Sequence, residues 1–211
     1  MLIVENISFA YSSRPLFRGV NITVEPAKVT RIVGDNGCGK STLLSVCAGL
    51  KNPNTGSLKW KEDGVVSGFS RDKFHYLPAE ANGFFQKLTA FENLQFWLRL
   101  ENPVISDIQI HEGLKKWGFQ QELVRNFLKV AQFSTGMKRR LAFARLELST
   151  TKCWILDEPL YGLDTKGVKS FVQLVKDHLG RNGSLLTVSH DLNGIAELPL
   201  NNIDFERWKN V

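Results

Sequence analysis

The sequence has few cysteines and no long uncharged apolar run. Three of its 211 residues are cysteine, and their odd number and irregular spacing match neither a disulfide framework nor a zinc-binding pattern. This usage is typical of reduced thiols in a cytosolic protein. No apolar run approaches the ~20 residues that cross a bilayer, and the start of the chain lacks the basic leader of a signal peptide. We therefore expect any membrane role to depend on a partner.

Internal repeats and low-complexity segments are also absent, which excludes repeat proteins and disordered chains. The hydrophobic share is 43% and the charged share 23%, as in ordinary globular proteins. Lys and Arg number 27 against 21 for Asp and Glu, a net charge of +6. Such a modest excess suits a nucleic-acid surface, an anionic lipid surface or a nucleotide-handling protein, but it is most simply a solvated surface. The length predicts one core with room for a small lobe.

The chain alternates short β-branched segments with amphipathic ones. The turn-forming residues 12–15 are expected to separate the first two strands. Alternation of strands and helices predicts a mostly parallel sheet that is covered on both faces. The consecutive helices after residue 89 predict a helical subdomain. Strands are predicted at 2–9, 21–25, 28–33, 57–60, 74–77, 153–156 and 185–188, and helices at 40–50, 89–100, 106–117, 121–128, 135–148 and 164–179.

Residues 34–41 (GDNGCGKS) match the phosphate-binding pattern G-x-x-x-x-G-K-[ST]. The glycines let successive backbone amides approach phosphate oxygens, and the helix that follows presents its amino end to the same anion. Lys40 supplies a cation for the terminal phosphates, and the Ser41 hydroxyl is a candidate Mg²⁺ ligand. The predicted nucleotide-binding residues of this segment are Gly34, Asn36, Gly37, Cys38, Gly39, Lys40, Ser41 and Thr42.

An apolar strand at 153–156 ends in the acidic pair Asp157 and Glu158. On its own this pattern is also typical of an exposed acidic turn. Beside a phosphate loop, however, the terminal Asp157 is placed to hold Mg²⁺ opposite Ser41. Glu158 is then placed to orient and polarise the attacking water. The two motifs together predict a bound nucleotide with Mg²⁺ and the attack of water on its terminal phosphate.

Residues 133–140 (FSTGMKRR) complete a set of motifs that resembles the ATP-binding subunits of ABC transporters over essentially the whole chain. The resemblance implies an α/β fold: a P-loop NTPase core with a mostly parallel sheet, N-terminal antiparallel strands and a small helical subdomain. It implies one ATPase domain over 1–211, with the helical insert at about 84–148.

The same resemblance assigns roles to residues outside the two motifs. Tyr11 is similar to the aromatic residue that stacks on adenine. His190 is similar to the histidine that hydrogen-bonds the γ-phosphate, so the implied catalytic residues are Glu158, His190 and Lys40. Ser134 and Gly136 are implied to contact the γ-phosphate of ATP held by the other subunit. Residues 162–164 resemble the loop that contacts the partner cassette.

The implied assembly is a homodimer, or a pair of cassettes, that closes around two ATP molecules and drives an integral membrane transporter subunit. Its location would be cytoplasmic and peripheral on the inner face of the cell membrane. We expect no nucleic-acid partner. The segment 91–100 (FENLQFWLRL) is the expected docking face, because its apolar residues exceed what a small subdomain can bury.

Two positions depart from the family pattern. Ala79 or Glu80 stands where the family carries a Gln, and Met137 replaces another usual Gln. The segments 88–94 and 138–146 resemble cytochrome c biogenesis ATP-binding subunits associated with haem export, but drug-export and ABC-2-type cassettes share most of these motifs. A nucleotide-dependent switch with little hydrolysis, or an ABC-type ATPase acting on ribosomes or nucleic acid, remain alternatives.

Overall fold

The structure is a computed structural model that describes residues 1–12, 14–80, 83–122, 126–189 and 194–209. No helix in these ranges is long and apolar enough to cross a membrane. The strands are β1 (Leu2–Tyr11), β2 (Arg14–Val24), β3 (Val29–Val33), β4 (Thr55–Glu62), β5 (Val65–Gly68), β6 (Phe74–Leu77), β7 (Cys153–Asp157), β8 (Ser184–Val188) and β9 (Leu200–Asp204). The α-helices are α1 (Lys40–Cys47), α2 (Ala90–Glu101), α3 (Asp107–Lys116), α4 (Thr135–Leu148) and α5 (Thr165–Gly180).

The first sheet is antiparallel, with the strand order β2-β1-β4-β5. β1 and β2 form a hairpin in which Tyr11 pairs with Arg14, and Ser12 has a φ of 52°. The prediction of a strand at 21–25 is wrong at its start, because the turn at Ser12 returns the chain at once into register with β1. Pro15 is tolerated in β2 because this strand lies at the sheet edge.

A second hairpin joins β4 to β5, and the sequence-based prediction lacks it. Asp63 and Gly64 have φ values of 50° and 81°, and Glu62 pairs with Val65 across the turn. Two successive positive φ values are characteristic of a type I′ turn, for which Asp-Gly is a preferred dipeptide. The Asp-Gly pair is thus the sequence signal that identifies this hairpin.

The second sheet is parallel, with the order β6-β7-β8-β3-β9. β7 and β8 are buried along their whole length, as expected for strands that are covered on both faces. β9 is an edge strand beside β3 that the prediction lacks, because Asn201 and Asn202 have low strand propensity. All the carboxyl ends meet at one edge, where ligands bind in open parallel sheets. The predicted α/β fold with N-terminal antiparallel strands is confirmed.

Helices α2, α3 and α4 follow β6 in the chain and precede β7. Thr89 and Ser106 cap α2 and α3, each in a reciprocal capping box. The apolar faces of the three helices pack with α5 and one face of the parallel sheet into a single cluster of buried side chains. The predicted helix at 121–128 lies partly outside the described residues, and the limits of the insert remain a prediction.

Helix α1 is shorter than predicted. It ends at Cys47 rather than at residue 50. Gly49 has a φ of 67°, and the Leu50 amide donates to Ser45 O at 2.9 Å. A glycine in the left-handed region with this hydrogen bond is a common helix-terminating arrangement, so the last apolar residues of the pattern lie beyond the helix.

Candidate nucleotide site

The carboxyl ends of the parallel strands border an open cleft of about 710 Å³. The segment that follows β3 forms one wall, and the segment that follows β7 forms the other. This is the position that ligands occupy in open parallel sheets. The lining residues are Asn36, Gly37, Gly39, Lys40, Ser41, Thr42, Glu158, Leu160, Tyr161, Gly162, Leu163 and Val188.

Two glycines of the loop between β3 and α1 require their residue type. Gly37 and Gly39 have φ values of 75° and 117°. A Cβ on Gly39 would lie 2.8 Å from Leu16 Cγ, whereas one on Gly37 would meet no heavy atom within 4 Å. Gly39 is therefore needed for its backbone conformation and for close packing against β2. Gly37 is needed for conformation alone and leaves the cleft wall open to a ligand.

Helix α1 begins directly after this loop, with its amino end at the cleft. The Leu43 amide donates to Gly39 O at 2.9 Å, so the amides of residues 40–42 have no acceptor within the helix. The helix, which is described in full, has no acidic residue in its first turn, and Gly39 supplies no side-chain cap. The amides and the positive end of the helix dipole thus favour an anion here.

Lys40 is a buried cation, only 6% exposed, at the base of the cleft. Its ammonium donates to Gly34 O at 2.9 Å and to Asp35 O at 2.6 Å. These two carbonyl groups hold the charge inside the curve of the loop. The phosphate-binding motif therefore folds as a cradle in which amides and an ammonium surround one position.

β7 ends in Asp157, which is 4% exposed. Burial raises the pKa of Asp157, while a hydrogen bond with Ser41 and the positive charges of Lys40 and Arg139 lower it. Its Oδ1 atom has no hydrogen-bond partner among the described residues. A buried carboxylate oxygen without a partner is costly, and this atom is therefore suited to a cation.

The Ser41 hydroxyl and the Asp157 carboxylate are a pair of hard oxygen donors that fits Mg²⁺. Mg²⁺ is usually held by one or two protein groups together with waters and substrate phosphates rather than by an all-protein cage. Within the described ranges, no cluster of three or more His, Cys, Asp or Glu side chains is placed to hold a metal. The donor set thus suits an ion that binds together with a nucleotide.

Glu158 follows β7 in an uncommon backbone conformation, with a φ of 44°. Its amide donates to Val188 O at 2.9 Å, which ties the residue to the end of β8. Positive φ is uncommon for a residue other than glycine, and this hydrogen bond fixes the turn. The side chain lines the cleft, where a carboxylate is able to act on a bound water.

Tyr11 lies at the rim of the cleft with its ring about half exposed. Its hydroxyl is 3.4 Å from Thr42 Oγ1, and Lys51 Nζ is 5.2 Å from the ring centroid. Hydrogen bonds with Thr42 and Lys51 lower the pKa of Tyr11. The structure thus places the predicted stacking residue beside the phosphate loop, with one ring face against a cation.

Ser134 and Gly136 do not line this cleft. The Ser134 hydroxyl accepts from the Met137 amide at 3.2 Å and caps α4. Gly136 lines a second cavity of about 400 Å³ together with Gly162 and Asp164. Gly136 therefore lies near residues 162–164 of its own chain and does not line the cleft at the phosphate loop. His190 lies outside the described residues, and its role remains a prediction.

Arg139 is a residue near the site that the sequence-based prediction missed. It is 2% exposed and donates from Nη2 to Ala79 O. In the sequence, Arg139 lies at helical spacing from Phe143 and Leu146, which are fully buried. This spacing is the signal that places Arg139 on the buried face of α4.

The parallel sheet, the glycine-rich loop before α1 and the acidic end of β7 define a P-loop nucleotide-binding protein. Residues 17–161 match the family described as "ABC transporter". The chain belongs to the ABC transporter family, as an ATP-binding subunit that is an ATPase.

Two curated relatives cover most of the chain. It is 37% identical over 193 residues to the "Cytochrome c biogenesis ATP-binding export protein CcmA" of Vibrio vulnificus (strain YJ016), covering 90% of this chain and 92% of the relative. Identity to the protein of that name from Vibrio parahaemolyticus is 38%, with the same coverage. A solved structure, the dimeric post-hydrolysis state of the ATP-binding cassette MJ0796 bound to ADP and Pi, is 23% identical with a TM-score of 0.80 and covers 100% of this chain and 98% of that one. That likeness shows the fold.

Proposed function

We propose that this chain is the ATP-hydrolysing subunit of an exporter that serves cytochrome c biogenesis by moving haem or a haem-related cargo. The observation that carries the proposal is the 37–38% identity over 90% of the chain to relatives named cytochrome c biogenesis ATP-binding export proteins. The proposed location is cytoplasmic, peripheral on the inner face of the cell membrane. Those names give cytochrome c biogenesis and export, whereas haem as the cargo comes from the resemblance of segments 88–94 and 138–146 and not from any contact in the chain.

ATP binding uses the cradle around α1. The amides of 40–42 and the Lys40 ammonium bind the phosphates, and the Tyr11 ring stacks on the base in place of the Lys51 cation. Ser41 and Asp157 hold Mg²⁺, which neutralises charge on the phosphates when it is bound. The otherwise unpaired Oδ1 atom of Asp157 supports this assignment.

Hydrolysis is a phosphoryl transfer to water, in which positioning and charge neutralisation do most of the catalysis. Glu158 accepts a hydrogen bond from the attacking water and aligns it with the terminal phosphate. The hydrogen bond from the Glu158 amide to Val188 O keeps the carboxylate at the cleft wall. His190 is proposed to contact the same phosphate from the segment after β8.

The complete site requires two chains. Ser134 and Gly136 do not line the cleft of their own chain, and Ser134 is exposed at the amino end of α4. A helix amino end is suited to a phosphate. We therefore assign these two residues to the terminal phosphate of ATP bound by a partner cassette, in a dimer that closes around two ATP molecules.

An exposed aromatic cluster is the proposed docking face for an integral membrane subunit. Phe85 lies 5.0 Å from Phe96 and 5.8 Å from Trp97 between ring centroids, and Leu100 is 66% exposed on the same helix. Apolar side chains grouped in this way on a surface are typical of protein interfaces. Phe91, which the sequence-based prediction included, is instead partly buried and stacks on His111, so the face is narrower than the predicted 91–100.

Replacing Phe96 and Leu100 with serine (F96S/L100S) is expected to abolish co-purification with integral membrane proteins from the source cells, because the apolar contact is lost. ATP binding by the isolated variant should stay within about threefold of wild type, since neither side chain lines the cleft. The matched control is V104S/I108S, which removes two exposed apolar side chains elsewhere. Equal retention of the membrane proteins by F96S/L100S would contradict this face.

The cargo class is tested in a strain that lacks the gene for this chain. We expect covalently attached haem in its c-type cytochromes to disappear and to return with the wild-type gene but not with Glu158→Gln. Peroxidase staining of denaturing gels measures this haem directly. Normal c-type cytochromes in the deletion strain would exclude the haem proposal and favour another exported substrate.

A further inference from the structure

Arg139 is the least exposed Lys or Arg in the described part of the chain. It projects from α4 and donates from Nη2 to Ala79 O, just after β6. Its Nε and Nη1 atoms have no hydrogen-bond partner within the described ranges. A buried guanidinium with two unpaired donors is costly, so its retention calls for a countercharge or a ligand.

The countercharge lies at the end of the neighbouring strand. β6 and β7 are adjacent and in register, with Leu77 opposite Leu156, so the segment that holds Ala79 lies beside Asp157 and Glu158. Burial lowers the pKa of Arg139, and the charges of those two carboxylates raise it. The guanidinium therefore hydrogen-bonds the segment after β6 from helix α4, and the charges of the two carboxylates act on it.

We propose that Arg139 is a positioning residue for hydrolysis, which ties the segment after β6 to α4 through Ala79 O and keeps a positive charge near the carboxylates at the end of β7. Ser134 caps the amino end of that same helix, so a contact at Ser134 is transmitted along one rigid element to the charge environment of Glu158. The inference rests on the proposed ATPase site and adds a residue through which one cassette senses the engagement of its partner.

The test is Arg139→Met, which keeps a long apolar side chain and removes the charge and its donors. We expect kcat for ATP hydrolysis to fall more than tenfold while KM for ATP changes less than threefold, because Arg139 does not line the cleft. Arg139→Lys should restore part of kcat, since it keeps the charge. Arg99→Met, which removes an exposed cation paired with Asp107, is the matched control.

A second readout does not depend on turnover. Without Arg139, amide hydrogen exchange in residues 76–80 should rise while exchange in β3 stays unchanged, because the hydrogen bond to Ala79 O is lost. Parallel loss of kcat and ATP binding with no recovery in Arg139→Lys would overturn the proposal as a mere folding effect. So would wild-type turnover in Arg139→Met, whereas wild-type turnover in Glu158→Gln would instead overturn the ATPase site itself.

Discussion

Glu158→Gln is expected to lower ATP turnover by at least about 100-fold, because general-base catalysis contributes on the order of 10²–10⁴. The amide keeps the shape of the side chain but is a far weaker base. ATP binding should remain within about threefold of wild type, since the phosphate cradle and Lys40 are unchanged. Steady-state phosphate release measures the first quantity, and fluorescence of a labelled ATP analogue measures the second.

The matched control for Glu158→Gln is Glu197→Gln, which changes an exposed carboxylate that pairs with Lys176. It should hydrolyse ATP at the wild-type rate. If Glu158→Gln retained more than about a tenth of wild-type turnover, the general-base assignment would be wrong. Loss of ATP binding together with turnover would instead assign Glu158 to nucleotide binding.

The slow variant also reports on the composite site. Because ATP persists in Glu158→Gln, a dimer held together by two ATP molecules should accumulate and be visible by light scattering. Adding Ser134→Arg should restore the monomer, since a bulky cation at the amino end of α4 blocks its approach to the partner's phosphate. A monomer under both conditions would count against a site shared between two chains.

The segments that the sequence predicted well owe their limits to local chemistry. β6 and α4 have the predicted bounds, Phe74–Leu77 and Thr135–Leu148. Ser134 caps the amino end of α4. β6 ends just before Pro78, which lacks the amide N–H that pairs with a neighbouring strand. The phosphate-binding residues are likewise predictable from the sequence because they are contiguous.

What the sequence could not predict depends on distant partners. β9 forms only because β3 offers a parallel neighbour, and its asparagines are accepted because they are exposed at a sheet edge. The bond from Arg139 to Ala79 joins residues that are 60 apart in the chain. No local pattern encodes such a pairing, since it depends on how α4 lies across the sheet.

The electrostatics of the site follow the same division. The motif identifies Lys40 and Ser41 in the sequence. Their proximity to Asp157 is also expected from the combination of a phosphate loop with an acidic strand end. The cost of burying that carboxylate cannot be predicted from the motif, because its exposure of only 4% is a result of the fold. Burial raises the pKa of Asp157 while Ser41, Lys40 and Arg139 oppose that rise, so the carboxylate and these three neighbours form one coupled set.

Lys40→Met is expected to weaken ATP binding about 10- to 150-fold, because a hydrogen bond to a charged group is worth about 1.5–3 kcal/mol. Met keeps the apolar stem of the side chain, so the packing of α1 is retained. The effect on kcat/KM should be larger than on the dissociation constant, since charge on the terminal phosphate changes during transfer. Equilibrium binding and steady-state kinetics on one preparation separate the two.

Lys28→Met is the matched control, since it removes an exposed ammonium that pairs with Glu25. It should leave both quantities unchanged. Lys40 also donates to Gly34 O and Asp35 O, so its loss could act through the loop rather than through the phosphates. The two causes differ in their ligand dependence: loss of the charge weakens ATP more than adenosine, whereas a disordered loop weakens both. Equal weakening of ATP and adenosine would therefore assign Lys40 to loop structure and not to phosphate binding.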